Sequence, residues 1–184
     1  MINFKTLSVH AVLSMVLLTS TLSADDRFSE FVDQQGNIEF PNGFRDSMVH
    51  LGSWFVPEGG ASGFHGVYTE KATIEAFRNN GKFPDGATLV KELRVSAAAD
   101  YTTGQSVSHE TTEVKQWFVM IKDTRGRFND NPMWGDGWGW ALYKPDNTAN
   151  NVATDYKNDC LGCHVPARET DWVYTEAYPT LDAK

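Results

Sequence analysis

Residues 84–97 read PDGATLVKELRVSA, a Pro-Asp-Gly turn followed by a run whose apolar residues recur at alternate positions. Ala87, Leu89, Lys91, Leu93 and Val95 share one face, and Thr88, Val90, Glu92, Arg94 and Ser96 share the other. Period-two alternation after a turn signal predicts a β-strand with one buried face. Lys91 breaks that pattern, because it falls in the middle of the apolar face. Burial disfavours an ammonium ion, lowers its pKa and frees a lone pair, so an inward lysine is a candidate nucleophile. An edge strand that carries an inward charge to resist aggregation is the competing reading.

Working outward, residues 49–56 (VHLGSWFV) predict a strand, followed by the flexible PEGGASG at 57–63. Thr69 is a candidate cap for a helix over 70–79, with Gly81 placed to end it in a left-handed conformation. Residues 111–122 (TTEVKQWFVMIK) predict a second long strand, and the polar DYTTGQSVSHE between the two suits an exposed hairpin loop. A turn at Arg125-Gly126-Arg127 leads to WGDGWGWALY, which becomes a strand from Trp138. Residues 152–159 predict a short helix feeding Cys160. Without repeats or a linker, the expected fold is a single α+β domain, predominantly antiparallel β-sheet with a few short helices.

Composition narrows the function classes. Among 184 residues, 24 Asp and Glu against 16 Lys and Arg give a formal charge of -8. A chain this acidic lacks the basic excess that phosphate neutralisation needs, which argues against nucleic-acid binding. Residues 1–24 combine Lys5, an apolar stretch over 11–22 and the small pair Ser23-Ala24 ahead of Asp25 and Asp26, the pattern of a cleaved signal peptide. The mature domain, 25–184, is then expected to be periplasmic or secreted.

The strongest chemical signal is Cys160-Leu161-Gly162-Cys163-His164, which holds both of the chain's cysteines. C-x-x-C-H in an exported chain predicts haem c attachment: two thiols at that spacing form thioethers with the vinyl groups, and His164 ligates the iron. A thioredoxin-like pair would normally follow a strand in a βαβ unit, and zinc would want two more ligands at matching spacing. Electron-transfer cytochromes c are typically all-helical with the motif near the start, whereas here it lies near the C-terminus behind a strand-rich region. Met48, Met120, Met133, His50, His65 and His109 are the available sixth ligands, none with a supporting motif, so an open or water-bound position is expected.

GKFPDGATLVKELR (81–94), IKDTRGRF (121–128), WGWALY (138–143) and C-x-x-C-H followed by TDWVYTEAYP (170–179) together resemble the cytochrome P-460 family over most of residues 36–181. The resemblance implies a predominantly β fold holding one haem c, with the lysine of VKEL, here Lys91, covalently bonded to the porphyrin. It further implies oxidation of hydroxylamine, handling of nitric oxide and a soluble cytochrome as redox partner, with a homodimer left open. Hydroxylamine oxidation needs a proton acceptor. Where family enzymes tend to carry an acid, this chain has Gln116, Trp117 and Phe118; Glu113 is the nearest replacement, and counting from GVYTE brings His65 to the place of a family arginine. The missing acid instead resembles the related cytochrome c-prime-beta proteins, which bind nitric oxide and lack the lysine link. A gas-binding cytochrome is therefore the alternative, and a plain electron carrier the third reading.

Overall fold

The computed structural model describes residues 28–182, so the expected signal segment lies outside the described residues. Six strands form one antiparallel sheet: β1 (Val49–Val56), β2 (Gly63–Thr69), β3 (Thr88–Tyr101), β4 (Gly104–Lys122), β5 (Trp134–Gly135) and β6 (Trp138–Tyr143). Their order is β1-β2-β3-β4-β6-β5. The helices are short: α1 (Phe44–Ser47), α2 (Lys71–Asn80) and α3 (Gly162–His164). The α+β, mainly antiparallel, single-domain expectation holds. No helix among the described residues is long and apolar enough to cross a membrane.

Both faces of the sheet are covered. On one face Leu51, Val67, Leu89, Met120, Trp138 and Trp140 pack against Tyr156, Val173, Tyr178 and Leu181 of the C-terminal segment. On the other, Val90, Val119, Ile121, Ala141 and Tyr143 pack against Ile38 and Phe44 from the N-terminal segment. This two-sided burial explains why β3 carries apolar residues at both Leu89 and Val90. The C-terminal segment can lie on β1 because position 52 is glycine; any Cβ there would overlap the Ala177 carbonyl oxygen.

The structure corrects three local expectations and adds one strand. Thr69 is not the cap of α2: it ends β2 fully buried, its hydroxyl donating to the Thr88 carbonyl at 2.6 Å, and Glu70 is the cap residue. The expected terminator is right, since Gly81 adopts φ 67°. The polar segment 100–110 is not a loop; apart from the turn at 102–103 it continues β3 and β4 as an exposed ribbon. Thr, Ser, Val, Tyr and His at alternating positions satisfy a two-stranded ladder without needing a buried face. Strand β2 had no period-two signature, because Gly63 and Gly66 interrupt it. Residues 152–155 are not helical: the Asp155 carboxylate accepts from the Lys157 and Asn158 N–H groups at 2.8 and 3.2 Å, so the helical run begins at Tyr156.

Candidate functional site

A cleft of about 710 Å³ opens between the first sheet face and the C-terminal segment, and Lys91, His65, Cys160, Cys163 and His164 all line it. Its volume lies in the range of small-molecule and cofactor sites.

A single turn of π geometry, Lys157–Leu161, runs directly into α3, so Cys160, Cys163 and His164 sit three and four positions apart on one helical surface. Burial pushes the Cys160 thiol up to about 11, keeping it protonated at neutral pH. His164 Nδ1 donates to the Trp172 carbonyl at 2.7 Å, which leaves Nε2 as the basic nitrogen. Burial also lowers the pKa of His164 and favours the neutral, ligating imidazole. The Trp140 ring meets the imidazole edge-on at 4.9 Å and 76°. Tyr174 OH donates to the Cys163 carbonyl at 2.5 Å and ties the motif to the segment after it.

Across the cleft, β3 presents Lys91 between its register partners Val67 on β2 and Phe118 on β4. Both neighbours are ladder-paired, so β3 is not an edge strand and the aggregation-guard reading of Lys91 fails. Its Nζ stands 4.1 Å from the centre of the Phe118 ring. Desolvation pushes the ammonium pKa down to about 8. Roughly a tenth of the side chains are then neutral amines near pH 7.

His65 is 4% exposed and stacks on Trp54 at 4.9 Å. Its Nε2 donates to the Ala61 carbonyl at 2.8 Å, while Nδ1 is buried without a partner. An unpartnered buried nitrogen is costly unless something else bonds to it. Burial, then the Lys91 and Lys115 charges, lower the pKa of His65.

Other candidates are dispersed. Gln116 and Phe118 line the cleft, whereas Trp117 lies on the opposite face and donates to the buried Glu92 carboxylate at 2.9 Å. Glu113 is exposed in a neighbouring groove with Lys115 and Lys144, outside the cleft. Alternation along β4 groups Glu113 with Trp117 and Ile121 rather than with the cleft residues Gln116, Phe118 and Met120, and a register shift, Leu93 pairing with Gln116 but Arg94 with Val114, interrupts the ladder before Glu113 is reached. Met120 lines the cleft, but Met48 packs on the far side of the sheet, His50 bonds Ser53, and His109 lies on the exposed ribbon beside Tyr101. Sequence reasoning missed Trp54, Trp140 and Tyr174, which no motif or periodicity marks as cleft residues.

The family model Cytochrome P460 matches residues 41–175. This chain belongs to the cytochrome P460 family. No curated protein matches it. Membership in a cytochrome family implies a haem, and the residues present suit one. The cleft joins an imidazole with a free Nε2 to two thiols, and the His65 ring forms part of its wall. Among the described residues no group of three or more His, Cys, Asp or Glu is placed to hold a bare metal ion.

Proposed function

We propose that this cytochrome P460 family member is an exported, periplasmic or secreted, mono-haem c-type protein that oxidises hydroxylamine and handles nitric oxide. Cys160 and Cys163 carry the thioethers, His164 Nε2 is the proximal ligand, and Lys91 Nζ bonds the macrocycle. The observation that carries this reading is the meeting of Lys91 with Cys160, Cys163 and His164 in one cleft. A haem held by these residues would supply a ferric iron able to coordinate nitrogen and to accept electrons, with a soluble cytochrome as the proposed redox partner.

The chain supplies the rest. Lys91 offers a desolvated amine, the form in which a lysine acts as a nucleophile. His65 is the proposed proton acceptor: burial keeps its ring neutral, its Nε2–H is committed to Ala61, and Nδ1, shielded beneath the cleft surface, is the nitrogen left to take a proton. Trp54, Phe118 and Trp140 exclude water from the cleft and strengthen the electrostatic interactions inside it.

A second reading, a nitric-oxide-binding cytochrome of the c-prime-beta type without turnover, draws support from one feature. The β4 wall carries Gln116 and Phe118 where a carboxylate acceptor would be useful, and Glu113 is elsewhere. Steady-state assay of the purified haem protein with hydroxylamine and an artificial electron acceptor separates the two. Turnover supports the oxidase; nitric oxide binding with no hydroxylamine consumption leaves the gas-binding cytochrome.

A further inference from the structure

The IKDTRGRF segment contains a buried cation that the chemistry above does not use. Lys122, at the end of β4, is 8% exposed and pairs in register with Trp138. Its Nζ lies 4.8 Å from the centre of the Trp138 ring and donates to Asp171 Oδ1 at 2.7 Å. Asp171 and Trp172 are consecutive non-glycine residues in the left-handed region, with φ 60° and 65°. Such residues persist only where their surroundings hold them.

The surroundings here are specific. Trp138 Nε1 donates to the Asp171 carbonyl at 3.0 Å, and the Trp172 N–H donates to Ala167 at 2.8 Å. The carbonyl that this held turn presents is that of Trp172, which accepts the Nδ1 proton of His164 at 2.7 Å. A continuous set of contacts thus runs from the end of β4 through Lys122, Asp171 and Trp172 to the imidazole.

We propose that Lys122 and Asp171 act as a positioning strut, fixing the Trp172 carbonyl against His164 and thereby setting the donor strength of His164 toward the haem iron. The inference rests on His164 being the proximal ligand. A well-aligned acceptor at Nδ1–H makes Nε2 more basic, which favours the ferric state; a slack acceptor does the reverse. Lys122 and Asp171 touch no substrate and act only through the turn.

The test compares wild-type holoprotein with Lys122→Met, Asp171→Asn and the double variant. Asparagine tolerates the left-handed conformation, so Asp171→Asn removes the charge without forcing the turn open. In the ferrous protein the iron–histidine stretching band should move to lower frequency and the reduction potential should become more positive. Hydroxylamine turnover should fall by about tenfold or more. The double variant should shift no further than either single, because both remove one interaction. Variants that melt earlier while the band and the potential stay at wild-type values would overturn the strut and leave an ordinary structural ion pair. Should Lys122→Met fail to fold, Asp171→Asn, which alters no strand, decides by the same readouts. Persistence of the wild-type iron–histidine band in His164→Ala would instead overturn the proximal role of His164, and the strut with it.

Discussion

Lys91 Nζ stands 4.1 Å from the ring centre of Phe118, its register partner on β4, within the cleft that also holds Cys160, Cys163 and His164. The aromatic face and the strand neighbours remove water from the amine, and among the described residues it forms no ion pair, although Asp159 and Glu176 line the same cleft. Desolvation is the dominant cause of its lowered pKa. A lysine held this way is suited to bond formation and poorly suited to a structural ion pair.

Lys91→Ala should therefore retain haem through Cys160 and Cys163 while losing the spectral signature of a modified macrocycle. The ferrous Soret band should move from a red-shifted position to that of an ordinary five-coordinate c-type haem, and hydroxylamine turnover should be lost. A Soret band identical to wild type would return Lys91 to a packing role.

His65→Ala should lower hydroxylamine turnover by roughly a hundredfold, the size expected for loss of a general base, with haem content and nitric oxide binding intact. Glu113 was the lesser candidate beside His65 on sequence grounds, and its place outside the cleft predicts that Glu113→Gln keeps turnover within about twofold of wild type. Steady-state kinetics of both variants check this, and the reverse ranking would remove His65 from the proton path.

Acid stability offers a test of the fold behind the site. Asp85 accepts from Arg127 Nη1 at 3.0 Å and from the Thr124 N–H at 2.9 Å, and the Arg127 bond leads the causes that bring its pKa down to about 2. A carboxyl depressed in the folded state stabilises above its unfolded pKa and loses that contribution as the pH falls through the folded value. Because Asp85 is part-exposed, Asp85→Asn should cost about 1 kcal/mol near neutral pH after screening. That corresponds to a Tm lower by about 2–4 °C. The gap between variant and wild type in thermal unfolding should close between about pH 4 and pH 2. A gap of constant size down to that range would show that the pair contributes nothing through its charge.

Much of the fold was legible where two signals agreed. The strands at 49–56 and 138–143 have clear turn residues at their ends, and the structure gives β1 and β6 those bounds. Lys91 could be placed from alternation because β3 runs without a register shift from Thr88 to Leu93, whereas for Glu113 alternation showed only that it shares a face with Trp117, not which face of β4 meets the cleft. β2 was hidden because its glycines carry no side-chain pattern, and the 100–110 ribbon because a ladder exposed on both faces has no apolar stripe to betray it. Trp172 illustrates a further limit: its role is carried by a backbone carbonyl in a left-handed turn, which side-chain chemistry does not announce.

The central claim is that one haem is joined both to the Cys160–Cys163 helix and to Lys91 on β3. Its most direct test is mass spectrometry of the proteolysed, denatured holoprotein. Joint attachment predicts that the peptide bearing Cys160 and Cys163 and the peptide bearing Lys91 appear as one haem-containing species. Recovery of the Lys91 peptide free and unmodified, with haem on the cysteine peptide alone, would contradict it.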